Sequence, residues 1–357
     1  MTRSSIRSVQ NIRHISFSPV LLAVVAFGIF GLTAPAKAQS SVAQLRETAL
    51  AFQRQGDYAN TLLVLGTALQ QEPKNIELLT DLCHTYYLQG QYVRAAEAVR
   101  PLLEREDADV RTFQVGGNIY KALGDVTSCE KMYKKAIKKY PNSGVLLCEY
   151  GEILLSMKEP SKAFALWERG ILSDPSHSGN YYHASKYHYF RGEKVWSIVL
   201  AETFLNLESY SVRSTEIKEQ LLDSYKRFFI SETMSAQAEP RLQSPFEEAF
   251  RSTLMRQAQL ASRGIDVNRL IMIRTRFILD WFQGPGLRFP HAMLEQQRHM
   301  LREGHFEAYN LWLFGVASNM VEYRSWANTH PRELDSFNQY WRKRVFSMPA
   351  GQYYISN

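Results

Sequence analysis

The sequence predicts an all-α solenoid of helix-turn-helix repeats with further helices at its C-terminal end. Gly56, Gly90 and Gly124 lie 34 residues apart, and Gly192 lies two further periods on. Pro73 and Pro141 are two periods apart, with Pro175 one more. Small and bulky residues alternate in register with that period, as expected of stacked helical hairpins that bury their apolar faces against neighbours.

The first element is a targeting segment, residues 1–38. Arg3, Arg7 and Arg13 make a basic start without acidic residues, residues 20–33 are apolar, and Ala36-Lys37-Ala38 forms an A-x-A cleavage pattern. That order is the secretory signal pattern. The apolar run has 14 residues, short for a membrane span of about 20; an uncleaved anchor is the competing reading. Position 39 is Gln rather than the Cys that lipid modification would need. Cleavage after Ala38 leaves 319 of the 357 residues, with 38 basic against 35 acidic side chains, a net +3. A charge this small on such a chain gives no reason to expect nucleic acid as a partner.

The repeats follow at 42–75, 76–109, 110–143, 144–177 and 178–209, the last running on to about 211. Numbered within a repeat, position 8 holds Ala49, Cys83, Gly117, Gly151 and Ser185, and position 20 holds Thr61, Ala95, Cys129, Ala163 and Ser197. These are small residues, as a close helix crossing requires. Position 24 holds Leu65, Val99, Tyr133 and Trp167, with Ala201 as the exception. Position 11 holds Phe52, Tyr86, Tyr120, Leu154 and His188, and position 32 holds the prolines in three repeats, with Asp107 and Ser209 in the others. Cys83 and Cys129 therefore read as small core residues. The chain has one further cysteine, Cys148, and no C-x-x-C spacing.

In these columns residues 42 to about 211 resemble tetratricopeptide repeat (TPR) proteins. The resemblance implies antiparallel helix pairs stacked into a right-handed superhelix, with a concave groove lined by the first helix of each pair. The whole chain is also similar to exported TPR proteins of Gram-negative bacteria, a likeness that implies no activity. Carried over from the family, groove positions 2, 5, 9, 12 and 13 give Arg46 and Arg54; His84 and Tyr87; Arg111, Gln114, Asn118 and Lys121; Glu152; then Tyr182, Lys186 and Tyr189. Asn118 stands where TPR proteins often set an asparagine against a peptide backbone. Its amide both donates and accepts. The cations of the set could hold a carboxylate, although the family's full basic clamp is incomplete here.

Past the repeats, residues 212–232 read as a capping helix, with Ile217, Leu221, Leu222 and Tyr225 at helical spacing. Residues 233–243 read as a loop. Ser244-Pro245-Phe246-Glu247 carries the N-cap, first-turn proline and capping-box signals of a helix running to Gly264. Further helices are expected from Ile265-Asp266 to Gly284-Pro285-Gly286, over 291–303, over 306–327 and over 331–346. This C-terminal region, 244–357, lacks the 34-residue period and is rich in aromatics, and it is expected to pack as a helical cap on the solenoid end.

Three other features could carry chemistry. Lys131, Lys134, Lys135, Lys138 and Lys139 make one stripe on the second helix of repeat three, expected to be a solvated face. His183 and His188, five apart among five aromatic residues, do not share a helix face. No H-E-x-x-H, phosphate loop, dinucleotide fingerprint or G-x-S-x-G occurs. The expectation is an exported, non-enzymatic scaffold that binds protein or peptide without a cofactor; the alternative is an envelope enzyme with its activity in 244–357.

Overall fold

The computed structural model describes residues 40–234 and 244–355. The expected signal segment and most of the expected 233–243 loop lie outside the described residues. Among the described residues there is no strand, and no helix is long and apolar enough to cross a membrane.

Ten helices form five pairs: α1 (Val42–Arg54) with α2 (Tyr58–Gln71), α3 (Ile76–Leu88) with α4 (Tyr92–Leu102), α5 (Val110–Leu123) with α6 (Val126–Lys139), α7 (Gly144–Ser156) with α8 (Pro160–Ser173), and α9 (Ser178–Arg191) with α10 (Lys194–Leu207). Helix α11 (Val212–Met234) follows, two residues longer than expected. Every position-20 residue, Thr61, Ala95, Cys129, Ala163 and Ser197, is at most 1% exposed, as a tight crossing demands. Burial pushes the Cys83 and Cys129 thiols up to about 12, so both remain neutral core groups.

Within a pair, the small residue at position 8 receives the large one at position 24. A β-carbon on Gly117 would lie 1.9 Å from the Tyr133 hydroxyl oxygen, and one on Gly151 would lie 2.1 Å from Trp167 Nε1. Trp167 uses that nitrogen to donate to the Cys148 carbonyl at 3.2 Å.

Each first helix ends the same way. In the turn after α3, Gly90 N–H bonds Tyr87 O and Gln91 N–H bonds Tyr86 O, both at 2.9 Å. The same pair of bonds closes the other four turns. This helix stop needs one residue in the left-handed region. Gly56, Gly90, Gly124 and Gly192 supply it with φ of 71–77°, but in the fourth repeat the residue is Lys158, at φ 62°.

Consecutive pairs are latched along the second helices. Arg105 donates to Lys74 O at 2.8 Å, Lys135 to Leu103 O at 2.7 Å, Lys139 to Ala108 O at 2.7 Å and Arg169 to Pro141 O at 2.6 Å. The expected solvated lysine stripe is thus only partly that. All but Lys135 are exposed, yet Lys135 and Lys139 satisfy carbonyls that the preceding helix end and loop leave unpaired.

The C-terminal helices are α12 (Pro245–Met255), α13 (Ala258–Ala261), α14 (Val267–Gln283), α15 (Ala292–Arg302), α16 (Phe306–Ser318), α17 (Met320–Thr329) and α18 (Pro331–Lys343), with a 3-10 turn at Pro285–Leu287. Two expected helices are broken. The one from Ser244 to Gly264 splits around Arg256 and Gln257, where the Gln257 amide turns to Asp280 at 3.0 Å. The one over 306–327 splits at Asn319, whose side chain accepts from Val321 N and Glu322 N and so starts a new helix. An asparagine able to cap competes with helix continuation. The last expected helix stops at Lys343 rather than 346. At Ser244 the cap forms as expected, with its hydroxyl accepting from Glu247 N at 3.2 Å.

These helices share one apolar cluster with repeats two to five, and Val42–Asn357 is one compact unit. Its hub is α10, buried at every residue from Val195 to Asn206 and packed between α9 and α11 and against α12 and α15. Glu202, 0% exposed, accepts from Arg274, from Gln297 at 2.8 Å and from the Tyr309 hydroxyl at 2.7 Å. Arg274 also donates to Asn310 Oδ1 at 2.5 Å. Farther along, Arg344 donates to Asn206 O at 2.9 Å.

Two stability outcomes follow from the repeat packing. Gly151→Ala, although about 1 kcal/mol better in helix propensity, is expected to destabilise by about 1–3 kcal/mol because Trp167 must move; urea unfolding measures it, and a neutral or stabilised variant would refute the close crossing. Lys158→Gly is expected to raise stability by about 1 kcal/mol by relieving left-handed backbone strain, seen as a higher melting temperature with unchanged helical circular dichroism.

Candidate functional site

The twelve sequence-selected residues fall on all five first helices of the pairs, α1, α3, α5, α7 and α9. Eight of them are tied to partners one repeat away. Arg46 donates through Nε to Asp81 at 2.7 Å and pairs with Glu77. Arg111 reaches back to the same Asp81. Asp81 is 0% exposed, so one buried carboxylate joins α1, α3 and α5. Gln114 donates to Glu149 Oε1 at 3.0 Å, while the Tyr133 hydroxyl donates to Glu149 Oε2 at 3.0 Å. Burial raises the Glu149 carboxyl.

The chain of contacts continues along α5, α7, α9 and α11. Lys121 meets Glu152 at 3.4 Å, and Glu152 Oε1 lies 3.1 Å from His183 Nε2. Burial alone would raise the Glu152 carboxyl, but its contacts with His183 and Lys121 hold it below its usual range. The Tyr182 hydroxyl donates to Glu216 at 2.6 Å, and Lys186 pairs with the same carboxylate. The Tyr189 hydroxyl donates to Asp223 at 2.7 Å, where Arg227 also binds at 2.5 Å.

The remaining four behave differently. His84 stacks on Tyr87, ring centroids 6.1 Å apart, and burial lowers its imidazole. Arg54 is exposed, and Asn118 is half-buried. Asn118 has no hydrogen-bonding partner among the described residues. The expected basic lining is therefore largely neutralised from within, which removes most of the cations a carboxylate ligand would need.

Apart from Glu152, the acidic partners were not among the selected residues. Asp81 and Glu149 share position 6 of repeats two and four, two periods apart, and each lies about one repeat from its donors. That spacing is the signal that could have found them.

The same helices also present apolar surface. Leu88, Leu123, Leu155 and Phe190 sit in the last turns of α3, α5, α7 and α9, and they are 36%, 37%, 46% and 77% exposed. Each of four successive repeats thus shows one uncovered apolar side chain at the same helix end.

His183 and His188 face apart, as expected. His188 is buried with Nδ1 at 2.5 Å from Glu193, whereas His183 joins Glu152 and Cys148. Among the described residues these three bring ligand-type atoms within 4.8 Å of one another. In the C-terminal region, a cleft of about 360 Å³ between α11 and α13 is lined by Lys226, Phe229, Ile230, Ala261, Ser262 and Ile265, with Ala258 and Gly264. Its lining holds neither a carboxylate nor an imidazole.

Residues 53–114 match the family described as tetratricopeptide repeat. The chain is similar to a thermophilic TPR protein of Thermus thermophilus (17% identity, 51% of this chain and 100% of that one, TM-score 0.43). It is also similar to PilF of Pseudomonas aeruginosa (14% identity, 55% and 93%, TM-score 0.46). A third is YrrB, described as a TPR protein with an unusual peptide-binding site (12% identity, 50% and 92%, TM-score 0.37). No curated protein matches the sequence. The 34-residue period, the five stacked helix pairs and the matched segment define residues 42–207 as a TPR-type solenoid.

Proposed function

We propose that this protein is an exported scaffold that holds an extended segment of another protein along the first-helix face of its solenoid. It reads that segment through apolar and uncharged polar contacts rather than through a carboxylate clamp. The observation that carries this reading is the division of the face into two kinds of group. Its charges, Arg54 apart, are consumed by contacts one repeat away, while Leu88, Leu123, Leu155 and Phe190 stay uncovered and Asn118 keeps a free amide. Uncovered apolar residues repeated on one element of each repeat suit a partner that meets each repeat in turn. An amide with donor and acceptor both free suits a peptide group. Export is supported by the N-terminal basic, apolar and A-x-A order.

Selection from a random-peptide display library on the chain from Gln39 onward tests the binding reading. Enriched peptides are expected to be rich in apolar residues and to bind equally well with a free or an amidated C-terminus. Phe190→Glu with Leu155→Glu should weaken them at least about tenfold, the scale of losing one buried apolar side chain. Peptides that require a free carboxylate, or that bind the double variant unchanged, would overturn it. Export is tested separately by expressing the full chain with a C-terminal tag in a Gram-negative host and determining the N-terminus of the product. Gln39 at the N-terminus is expected, and a retained Met1 in the cytoplasmic fraction would refute it.

A further inference from the structure

We infer that Cys148, Glu152 and His183 form a binding site for a thiophilic divalent transition metal, zinc(II) in the first instance, at the junction of the fourth and fifth helix pairs. The inference does not rest on the peptide-binding reading. It starts from the one cysteine that the repeat packing leaves unexplained. Cys83 and Cys129 occupy columns filled by small residues in other repeats. Cys148 occupies position 5, where other repeats carry Arg46, Thr80, Gln114 and Tyr182. A thiol there is no small-residue requirement of the crossing.

The geometry supplies the rest. Cys148 and Glu152 are four apart on α7 and so share a helix face, and His183 comes from α9, which packs on α7. The three donor atoms lie within 4.8 Å of one another, with His183 Nε2 and Glu152 Oε1 at 3.1 Å. Around a tetrahedral zinc with bonds of about 2.0–2.3 Å, donor atoms stand about 3.3–3.8 Å apart, so small side-chain adjustments close the site. Sulfur, nitrogen and oxygen in one set suit zinc and its neighbours, whereas magnesium and calcium take oxygen sets.

The surroundings fix the donors as supporting groups around metals do. The His183 ring stacks on Trp167 at 4.8 Å between centroids and 14° between planes. The Trp167 indole also donates to the Cys148 carbonyl, so one side chain orients both ligands. Cys148 is 4% exposed, but the Glu152 and His183 side chains are 35% and 14% exposed. One side of the site therefore stays open for a water or a partner's donor as fourth ligand. Binding expels the Cys148 thiol proton to solvent. Thiolate and carboxylate then balance the dication, and the imidazole binds neutral. Lys121, which meets Glu152 at 3.4 Å, gives up that contact or keeps it with the second carboxylate oxygen.

Cobalt(II) titration of the reduced, chelator-treated full chain tests this. A single equivalent is expected to give thiolate-to-cobalt charge-transfer absorption with the intense visible bands of a four-coordinate ion, and zinc should displace it. Cys148→Ser should abolish the charge-transfer band. His183→Gln and Glu152→Gln should each weaken binding about tenfold or more, while Cys83→Ala and Cys129→Ala should leave it unchanged. Circular dichroism of each apo variant separates lost binding from lost fold. Zinc should also raise the melting temperature of the parent but not of Cys148→Ser. No thiolate band in the parent, or a band that survives Cys148→Ser in a folded protein, would overturn the inference.

Discussion

Helix pairs in this protein cross so closely that only a small residue fits at the crossing, and in the third and fourth pairs not even a β-carbon has room; the solenoid is organised around that constraint. Gly117 admits the Tyr133 ring and Gly151 admits the Trp167 indole. A bulky residue seated over a small one fixes the separation and rotation of the two helices, because packed interiors leave little slack. Once each pair is rigid, side chains about one repeat apart meet at constant distances. The latches from Arg105, Lys135, Lys139 and Arg169 to carbonyls of the preceding repeat depend on that regularity. So does the ladder of ionic and polar contacts along the first helices, including the bridge through Asp81.

A stack of repeats needs an end, and α10 provides it by being buried on every side. A helix of this kind belongs in a core, so further helices must cover it. They do so around Glu202, whose carboxylate draws donors from α14, α15 and α16. Taking two charges out of water is costly, and a buried pair is weak evidence for added stability. Its effect lies in position: Arg274, Gln297 and Tyr309 find their partner in one arrangement of the C-terminal helices. The C-terminal region is accordingly part of the same compact unit as the repeats.

The first-helix face shows how a charge pattern misleads when partners are unknown. Arg46, Arg111, Lys121 and Lys186 in one stretch suggest a surface waiting for an anion. In the folded chain each has a carboxylate from an adjacent repeat, Asp81 or Glu152, or from α11, Glu216. What the face leaves available is apolar and uncharged, which shifts the expected ligand from a chain terminus to the interior of a segment. The cluster of Cys148, Glu152 and His183 lies on that face and draws on the same regularity. Its donors come from neighbouring repeats and meet only because α7 and α9 pack together.

The sequence by itself determined the helical class, the 34-residue repeat, and the small and large columns of the crossings. These are local or periodic properties, readable because each repeat solves the same packing problem with the same residue sizes. Glycine at four of the five turns reveals the rule, and Lys158 shows that the rule can be broken at one turn without losing the stop. The tertiary structure alone decided where Asn319 and the Arg256–Gln257 pair interrupt apolar runs that read as continuous helix. It also decided which carboxylate neutralises which cation, and that a thiol, a carboxylate and an imidazole from two repeats converge. These depend on distances between residues far apart in the chain, set by how helices stack, and a linear pattern carries the spacing of such residues but not their meeting.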